Sequence, residues 1–233
     1  MVFPLINAVL IIIITTAILI IIYKLFLDKN KKAKKNNIMI IGPSGSGKTT
    51  FFYYLLGHKN IQTVVSMQIN KVKNFATDLL SKINTYDITD IPGTGYFKEK
   101  IIDLLPTSII TLLFIDSTQK NSIVQAAEYL YDILNSDKYS EEINMYICCN
   151  KQDAGFPKSK KMIENELNKE IENLIKIKQK NNLEEKEQIG TLFQMKGKFA
   201  IKNFNNITFF ETDVKTEYAS VIKKIQDVLK IEQ

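Results

Sequence analysis

The stretch IMIIGPSGSGKT, residues 38–49, decides the fold of this chain. It reads as an apolar, β-branched strand followed by a G-x-x-x-x-G-K-[ST] loop, and the aromatic run FFYYLL at residues 51–56 then indicates a helix. The backbone N–H groups of such a loop turn toward one anion at the positive end of the helix. We therefore expect Lys48 to reach nucleotide β- and γ-phosphates, and the Thr49 hydroxyl to bind Mg²⁺.

A second motif, Asn150-Lys151-Gln152-Asp153, selects the base. It follows the strand-like run at residues 143–149, so it lies at the carboxyl end of a strand, where open α/β sheets bind ligands. The Asp153 carboxylate can accept hydrogen bonds from guanine N1–H and the 2-amino group. Adenine lacks that amino group and would leave the carboxylate partly unpaired, at a cost of about 1–3 kcal/mol. The pair of motifs predicts GTP and GDP as ligands.

Between these motifs lies Asp90-Ile91-Pro92-Gly93, a D-x-x-G placed where a strand ends in a turn. We expect Asp90 to hold Mg²⁺ through water. Gly93 is suited to present its N–H to a γ-phosphate, because a residue without Cβ tolerates close approach.

The amino terminus carries no charged side chain between residues 2 and 23. As a helix, such a segment would rise about 33 Å, enough to cross a bilayer core. Residues 1–23 are therefore expected to form a transmembrane anchor, and residues 24–36 a basic juxtamembrane linker. Six Lys side chains follow the span, so the positive-inside rule predicts a cytoplasmic domain after it.

The net charge of +6 comes mainly from that linker, which suits anionic lipid head groups and gives no indication of direct nucleic-acid binding. All 31 basic residues are Lys. Without Arg the chain cannot supply an arginine finger in cis, so rapid hydrolysis of GTP would require a partner.

Strand and helix patterns alternate along residues 37–233. We expect strands at residues 108–116 and 207–211 and helices at residues 123–134, 158–178 and 218–229, with a polar insertion near residues 178–198. The alternation predicts an α/β protein with a doubly wound, mainly parallel sheet and helices on both faces.

The anchor, the basic flank, the loop at residues 42–49, the segment Gln62-Thr63-Val64-Val65-Ser66 and the two later motifs together resemble the beta subunits of the signal recognition particle receptor. The resemblance implies the P-loop GTPase fold in its Ras/Arf-like form, with the anchor in the endoplasmic reticulum membrane. It also implies a GTP-bound form that binds the N-terminal domain of the receptor's alpha subunit. The docking face is expected on two switch segments, residues 62–66 and 93–97.

Position by position, the resemblance implies a nucleotide site. Phosphates would contact Gly42, Ser44, Gly45, Ser46, Gly47, Lys48, Thr49, Thr50 and Gly93. Guanine would be held by Asn150, Lys151 and Asp153, with the N–H groups of Asp213 and Val214 near guanine O6. Mg²⁺ would be held by Thr49, Asp90 and the switch-one threonine Thr63.

Two functions remain open at this stage: a GTP-gated module that recruits a targeting factor to the membrane, and a membrane-anchored Arf-like GTPase enzyme cycling in vesicle traffic. A spanning anchor favours the first, because it cannot leave the membrane as lipid-switched GTPases do. Thr94 stands where related enzymes carry a water-orienting Gln, so no catalytic residue is assigned and slow intrinsic hydrolysis is expected.

Overall fold

The computed structural model describes residues 14–21, 23–24, 35–58, 62–77, 81–185, 198–215 and 218–231. Within these ranges the strands are β1 (Asn37–Ile41), β2 (Asn70–Thr77), β3 (Ser81–Asp90), β4 (Ser108–Asp116), β5 (Asn144–Asn150) and β6 (Ile207–Glu211). The α-helices after residue 35 are α1 (Lys48–Leu55), α2 (Lys98–Leu104), α3 (Lys120–Leu134), α4 (Lys160–Glu185) and α5 (Tyr218–Ile231). Short 3₁₀ turns occupy Gly95–Phe97, Leu105–Thr107 and Ile201–Asn203.

The strands form one six-stranded sheet in the order β2-β3-β1-β4-β5-β6. β1 lies parallel to both β3 and β4, and β5 lies parallel to β4 and β6. Only the β2–β3 pair in this sheet is antiparallel. The mainly parallel α/β fold expected from the sequence is therefore confirmed. Because parallel strands end at one edge, the loops after β1, β3, β4, β5 and β6 meet there.

β1 explains why the sheet carries helices on both faces. All five of its residues are buried, which is typical of a central parallel strand. Met39 and Ile41 belong to one apolar cluster, which includes side chains of α2, α3 and α4. Ile38 and Ile40 belong to the other, which includes side chains of α1 and α5. The alternation of side chains along the strand thus supplies two cores, as predicted.

α4 corrects the predicted end of the second long helix. The helix begins at Lys160 and continues to Glu185, whereas the sequence pattern placed an aperiodic insertion from residue 178 onward. Lys, Gln and Glu are strong helix formers, so a helix end without an apolar stripe can still form in solvent. The rest of the proposed insertion, residues 186–197, falls outside the described residues.

The sequence analysis did not predict β2, the strand at one edge of the sheet. Its sequence, NKVKNFAT, is mostly polar, and its pairing with β3 shifts register around Asn74, which has a positive φ of 51°. An edge strand has only one neighbour and half-exposed faces, so its hydrophobic alternation is weak. The local bulge also interrupts the free edge.

The amino-terminal region, Met1–Lys34, forms a unit separate from Lys35–Gln233. Residues 14–21 and 23–24 are helical. Among the described residues, no helix has both the length and the apolar character needed to span a bilayer. Much of the anchor predicted at residues 1–23 lies outside the described residues, so the anchor stays a prediction, as does the linker at residues 24–36.

Candidate nucleotide site

The loop between β1 and α1 requires glycine where it passes the neighbouring strands. Gly42 has φ 133°, and a Cβ there would lie 2.2 Å from the Phe114 carbonyl oxygen of β4. Gly47 has φ 100°, and a Cβ there would lie 2.2 Å from Nδ2 of Asn150. Both backbone conformations are costly for residues with a Cβ. The glycines therefore allow the loop to lie directly against the ends of β4 and β5.

Lys48 lies inside this loop, with 5% of its surface exposed. Its Nζ donates a hydrogen bond of 2.7 Å to the Pro43 carbonyl oxygen. Burial lowers the pKa of Lys48 to about 8, while the nearby Asp90 carboxylate acts in the opposite direction. A bound phosphate would stabilise the ammonium form, since opposite charges favour ionisation.

Asp90, at the end of β3, is fully buried beneath the loop. Its Oδ2 accepts hydrogen bonds from Thr49 Oγ1 at 2.8 Å and from Asn70 Nδ2 at 3.0 Å. Its Oδ1 is buried without a hydrogen-bond partner among the described residues. Burial raises the pKa of Asp90, against the hydrogen bonds from Asn70 and Thr49 and the charge of Lys48. An unpartnered carboxylate oxygen beside a threonine hydroxyl fits a hard divalent cation such as Mg²⁺.

Two hydroxyl groups of the segment before β2 take different places in the site. Thr63 Oγ1 shares a hydrogen bond of 3.0 Å with Thr50 Oγ1. Ser66 Oγ instead shares one of 2.9 Å with Thr49 Oγ1, the hydroxyl that also bonds Asp90. The sequence analysis gave the metal role to Thr63 and none to Ser66, although both lie in the switch segment at residues 62–66.

Asn150 connects three loops of the site. The residue is 2% exposed. Its Nδ2 donates to the Ser46 carbonyl oxygen at 2.7 Å, and its Oδ1 accepts from the Val214 N–H at 3.0 Å. The first residue of the predicted base motif thereby fixes the phosphate loop relative to the loop after β6.

The base motif and the loop after β6 also meet through the backbone. Gln152 N donates to the Thr212 carbonyl oxygen at 3.3 Å, and Thr212 N donates to the Cys149 carbonyl oxygen at 3.0 Å. Asp213 Oδ1 accepts from Lys215 N at 3.0 Å, which closes the loop on itself. These bonds place Asp213 and Val214 next to Asn150.

Lys151 has an ion-pair partner that the sequence analysis did not identify. Its Nζ donates to Asp116 Oδ2 at 2.6 Å, and its backbone adopts a left-handed φ of 66°. Asp116 ends β4 and stands opposite Asn150 in the register with β5. The only sequence signal for this pair is an acidic residue at the end of a buried strand.

The loops enclose a pocket of about 340 Å³. The predicted residues that line it are Ser44, Gly45, Gly47, Lys48, Thr49, Thr50, Thr63, Gly93, Asn150, Lys151, Asp153, Asp213 and Val214. Gly42, Ser46 and Asp90 are not part of the lining, and the last two are fully buried. The lining also includes Val64, Val65, Ser66, Pro92, Ala154 and Lys215, to which the sequence analysis gave no role in nucleotide binding.

Gly93 brings the turn after β3 against the phosphate loop. A Cβ on Gly93 would lie 2.3 Å from the Ser44 backbone nitrogen. Thr94, the next residue, is exposed, and its carbonyl oxygen accepts a 3.1 Å hydrogen bond from Phe97 N. The turn therefore touches the phosphate loop through Gly93.

Large apolar side chains are exposed in and beside the two switch segments. Val64 is 87% exposed, Val65 is 61% exposed and Tyr96 is 87% exposed. Met67, directly after the first segment, is 86% exposed. Apolar side chains grouped at the surface in this way are typical of a surface for protein binding.

Comparison with known proteins agrees with this geometry. The profile of the signal recognition particle receptor beta subunit family matches residues 33–208. The signal recognition particle receptor subunit beta of Mus musculus is 30% identical over 122 residues, which are 50% of this chain and 43% of the mouse protein. The match thus spans less than half of that relative's length.

Two solved structures share the fold. The mammalian SRP receptor structure superimposes with a TM-score of 0.67 at 21% identity, covering 82% of this chain and 99% of the other. The SRb-GTP/SRX complex of Chaetomium thermophilum gives a TM-score of 0.57 at 16% identity, covering 82% and 99%. Since the family profile covers most of residues 37–211, from β1 to β6, this chain belongs to the signal recognition particle receptor beta subunit family.

Proposed function

We propose that this chain binds GTP and GDP together with Mg²⁺, and that its GTP-bound form recruits the receptor alpha subunit to the endoplasmic reticulum membrane for cotranslational protein targeting. The observation that carries the proposal is the pair of hydrogen bonds made by Asn150, to Ser46 O at 2.7 Å and from Val214 N at 3.0 Å. They join a phosphate loop to two base-recognition loops around one pocket, which is the arrangement a guanine nucleotide requires.

Each end of the nucleotide has its own residues in this proposal. Asp153 would accept hydrogen bonds from guanine N1–H and the 2-amino group. The Asp213 N–H would donate to guanine O6, because the Val214 N–H already donates to Asn150 Oδ1 at 3.0 Å. The phosphates would be held by the residues of the phosphate loop that line the pocket, which are Ser44, Gly45, Gly47, Lys48, Thr49 and Thr50. Buried, preoriented N–H groups and one ammonium stabilise phosphate charge better than water-exposed groups do.

The residues that would hold Mg²⁺ are Thr49 and Asp90, with a hydroxyl from the first switch segment. A Mg²⁺ ion held by these residues would supply charge neutralisation for the phosphates. Asp90 Oδ2 keeps Thr49 in place by accepting a hydrogen bond of 2.8 Å from its hydroxyl, and Asn70 Nδ2 of β2 donates to the same oxygen at 3.0 Å. Through Asp90, the residues proposed to hold Mg²⁺ therefore connect β2, the strand after the first switch segment, to the nucleotide site.

The partner surface would form only in the GTP state. Val64, Val65 and Tyr96 are exposed in segments that also contain Thr63, Ser66 and Gly93, three residues that line the pocket. A γ-phosphate that orders these segments would present their apolar side chains together. The solved fungal relative named as a GTP complex with SRX supports such an assembly.

Location and turnover follow from the sequence. Residues 1–23 are proposed as a single-pass anchor, with the GTPase domain in the cytoplasm. Thr94 is too short to orient water as a Gln amide does, and the chain has no Arg. We therefore propose slow intrinsic hydrolysis, so that the GTP state persists long enough to bind the alpha subunit.

An altered-base experiment tests nucleotide choice and gating together. Asp153→Asn exchanges the carboxylate for an amide whose N–H can donate to the 2-oxo group of xanthine. Full-length wild-type chain is expected to capture the alpha subunit's N-terminal domain with a non-hydrolysable GTP analogue, and not with GDP or xanthosine triphosphate. The Asp153→Asn chain should capture it with the xanthosine triphosphate analogue, and not with xanthosine diphosphate.

Wild-type chain with each nucleotide is the matched control, and direct titration with ATP measures base selectivity. Equal affinity of the wild-type chain for ATP and GTP would contradict the assignment of the base site. Equal capture in the diphosphate and triphosphate states would contradict the gating and favour the cycling enzyme.

A further inference from the structure

We propose that Asp116 is a positioning residue for nucleotide recognition, which acts by holding the ammonium group of Lys151 at the wall of the pocket. The inference rests on the proposed function and adds to it a residue outside the nucleotide-binding motifs. Lys151 lines the pocket, whereas Asp116 does not. Any effect of Asp116 on the nucleotide therefore has to pass through a neighbour.

The Asp116 carboxylate is held on both oxygens. Oδ2 accepts from Lys151 Nζ at 2.6 Å. Oδ1 accepts from Thr118 N at 3.0 Å and from Thr118 Oγ1 at 2.7 Å. The Asp116 side chain is 9% exposed and the Lys151 side chain 38% exposed, so the buried partner fixes the accessible one. A short, charge-assisted bond of this kind is stronger than an exposed ion pair.

The electrostatics agree with a permanently ionised Asp116. Burial acts to raise the pKa of its carboxyl group, but the hydrogen bonds from Lys151 and Thr118, with the charge of Lys151, outweigh burial. The net pKa lies below its ordinary value. Asp116 thus stays an acceptor across the physiological pH range.

Ser117, directly after β4, makes three further hydrogen bonds, two with the base motif and one with Lys158. Its N–H donates to the Asn150 carbonyl oxygen at 3.0 Å, and its own carbonyl oxygen accepts from Lys158 N at 3.0 Å. Its Oγ accepts from Gln152 Nε2 at 2.9 Å. Gln152, the variable position of the base motif, therefore stabilises the loop after β4 and is not among the residues that line the pocket.

Lys151 needs such a brace because its backbone is left-handed, with a φ of 66°. A residue with a Cβ keeps this conformation only when its surroundings impose it. The residues on either side, Asn150 and Gln152, are fixed by hydrogen bonds to Ser46, Val214 and Ser117. Asp116 completes the brace by fixing the side chain of Lys151 itself.

The chemistry of Lys151 distinguishes this role from base selection. An ammonium group only donates hydrogen bonds, so it cannot pair with the guanine 2-amino group, which is also a donor. Loss of its position should weaken GDP and inosine diphosphate equally, because inosine differs from guanosine only in lacking that amino group. Loss of Asp153 should instead weaken GDP more than inosine diphosphate.

The test is a double-mutant cycle on the full-length chain, with affinities for GDP and inosine diphosphate measured by fluorescent-nucleotide competition. Asp116→Asn keeps the shape and removes the charge. It is expected to weaken both nucleotides about tenfold, the scale of one charge-assisted hydrogen bond. In a Lys151→Met background the same change should alter both affinities less than twofold, since its target is gone.

Two further variants keep the test decisive. Asp103→Asn removes the exposed 2.8 Å ion pair with Lys138 and serves as the matched control, with unchanged affinity expected. If thermal unfolding shows that Asp116→Asn is not folded, Thr118→Val takes its place. Thr118→Val removes the hydrogen bond from the Thr118 hydroxyl to Asp116 and leaves the Asp116 charge. It is expected to weaken nucleotide affinity about threefold when Lys151 is present, and to have no such effect in the Lys151→Met background.

Unchanged nucleotide affinity in Asp116→Asn would overturn the inference. So would an equal loss in both Lys151 backgrounds, which would show a general structural effect of Asp116. Failure of the wild-type chain to bind GDP would contradict the proposed function, so the two failures are distinguishable.

Discussion

At the scale of single residues, a direct test can decide which hydroxyl of the first switch segment would serve the proposed Mg²⁺ site. Ser66 Oγ lies 2.9 Å from Thr49 Oγ1, whereas Thr63 Oγ1 lies 3.0 Å from Thr50 Oγ1. Thr49 in turn donates to the buried Asp90. The sequence resemblance favours Thr63, and the hydrogen-bond network favours Ser66.

Mg²⁺ is expected to slow the dissociation of GTP. We expect Ser66→Ala to raise the Mg²⁺ concentration that gives half of this slowing by roughly two- to tenfold, the range for one hydrogen bond. Thr63→Ala should change it less than twofold. The measurement is the dissociation rate of a fluorescent GTP analogue as a function of Mg²⁺. Ser66→Thr retains the hydroxyl and is the control. A larger effect of Thr63→Ala would return the metal role to Thr63.

At the scale of elements, the turn after β3 offers a matched pair of glycines. A Cβ on Gly93 would meet the Ser44 backbone nitrogen at 2.3 Å, and backbone cannot yield as a flexible side chain can. A Cβ on Gly95, two residues later, would meet nothing within 4 Å. The close packing of this turn against the phosphate loop therefore requires glycine at position 93 and not at position 95.

Gly93→Ala should separate the turn from the phosphate loop and reduce GTP affinity at least tenfold. Strain of this kind typically costs about 1–3 kcal/mol in unfolding free energy. Gly95→Ala is expected to stay within about 0.5 kcal/mol, as an ordinary surface substitution does. Nucleotide titration and urea unfolding of both variants measure the difference. Similar behaviour of the two variants would contradict the packing argument.

At the scale of the whole molecule, the testable property is orientation in the membrane. Lysines flank the proposed span only on its carboxyl side, which predicts that everything after it faces the cytoplasm. Protease added to sealed microsomes that contain the full-length chain should digest the domain from about residue 35 onward. A lumenal marker protein provides the control for sealed vesicles. Protection of the domain in sealed vesicles would contradict this orientation.

Local sequence was sufficient for much of the fold. β4 and β6 were predicted with their observed bounds. β4 is buried at every position, as its apolar run indicates, whereas β6 is an edge strand with only Phe210 buried, and its β-branched and aromatic residues favour a strand. The polar edge strand β2 and the polar end of α4 were missed, since neither sequence has the hydrophobic periodicity that distinguishes a strand or a helix from a loop. These two elements form through pairing with β3 and through helix propensity.

The candidate site likewise has features set by local sequence and features set by the tertiary structure. The sequence by itself determined the phosphate loop, the D-x-x-G turn and the base motif, because their spacing and glycine content express local backbone requirements. Only the tertiary structure decided how these parts meet. Asn150 bonds residues 104 and 64 positions away, and Lys151 bonds Asp116 across 35 positions. Such pairs depend on strand order and register, which bring the ends of β1, β4, β5 and β6 to one edge of the sheet, and no local pattern records them.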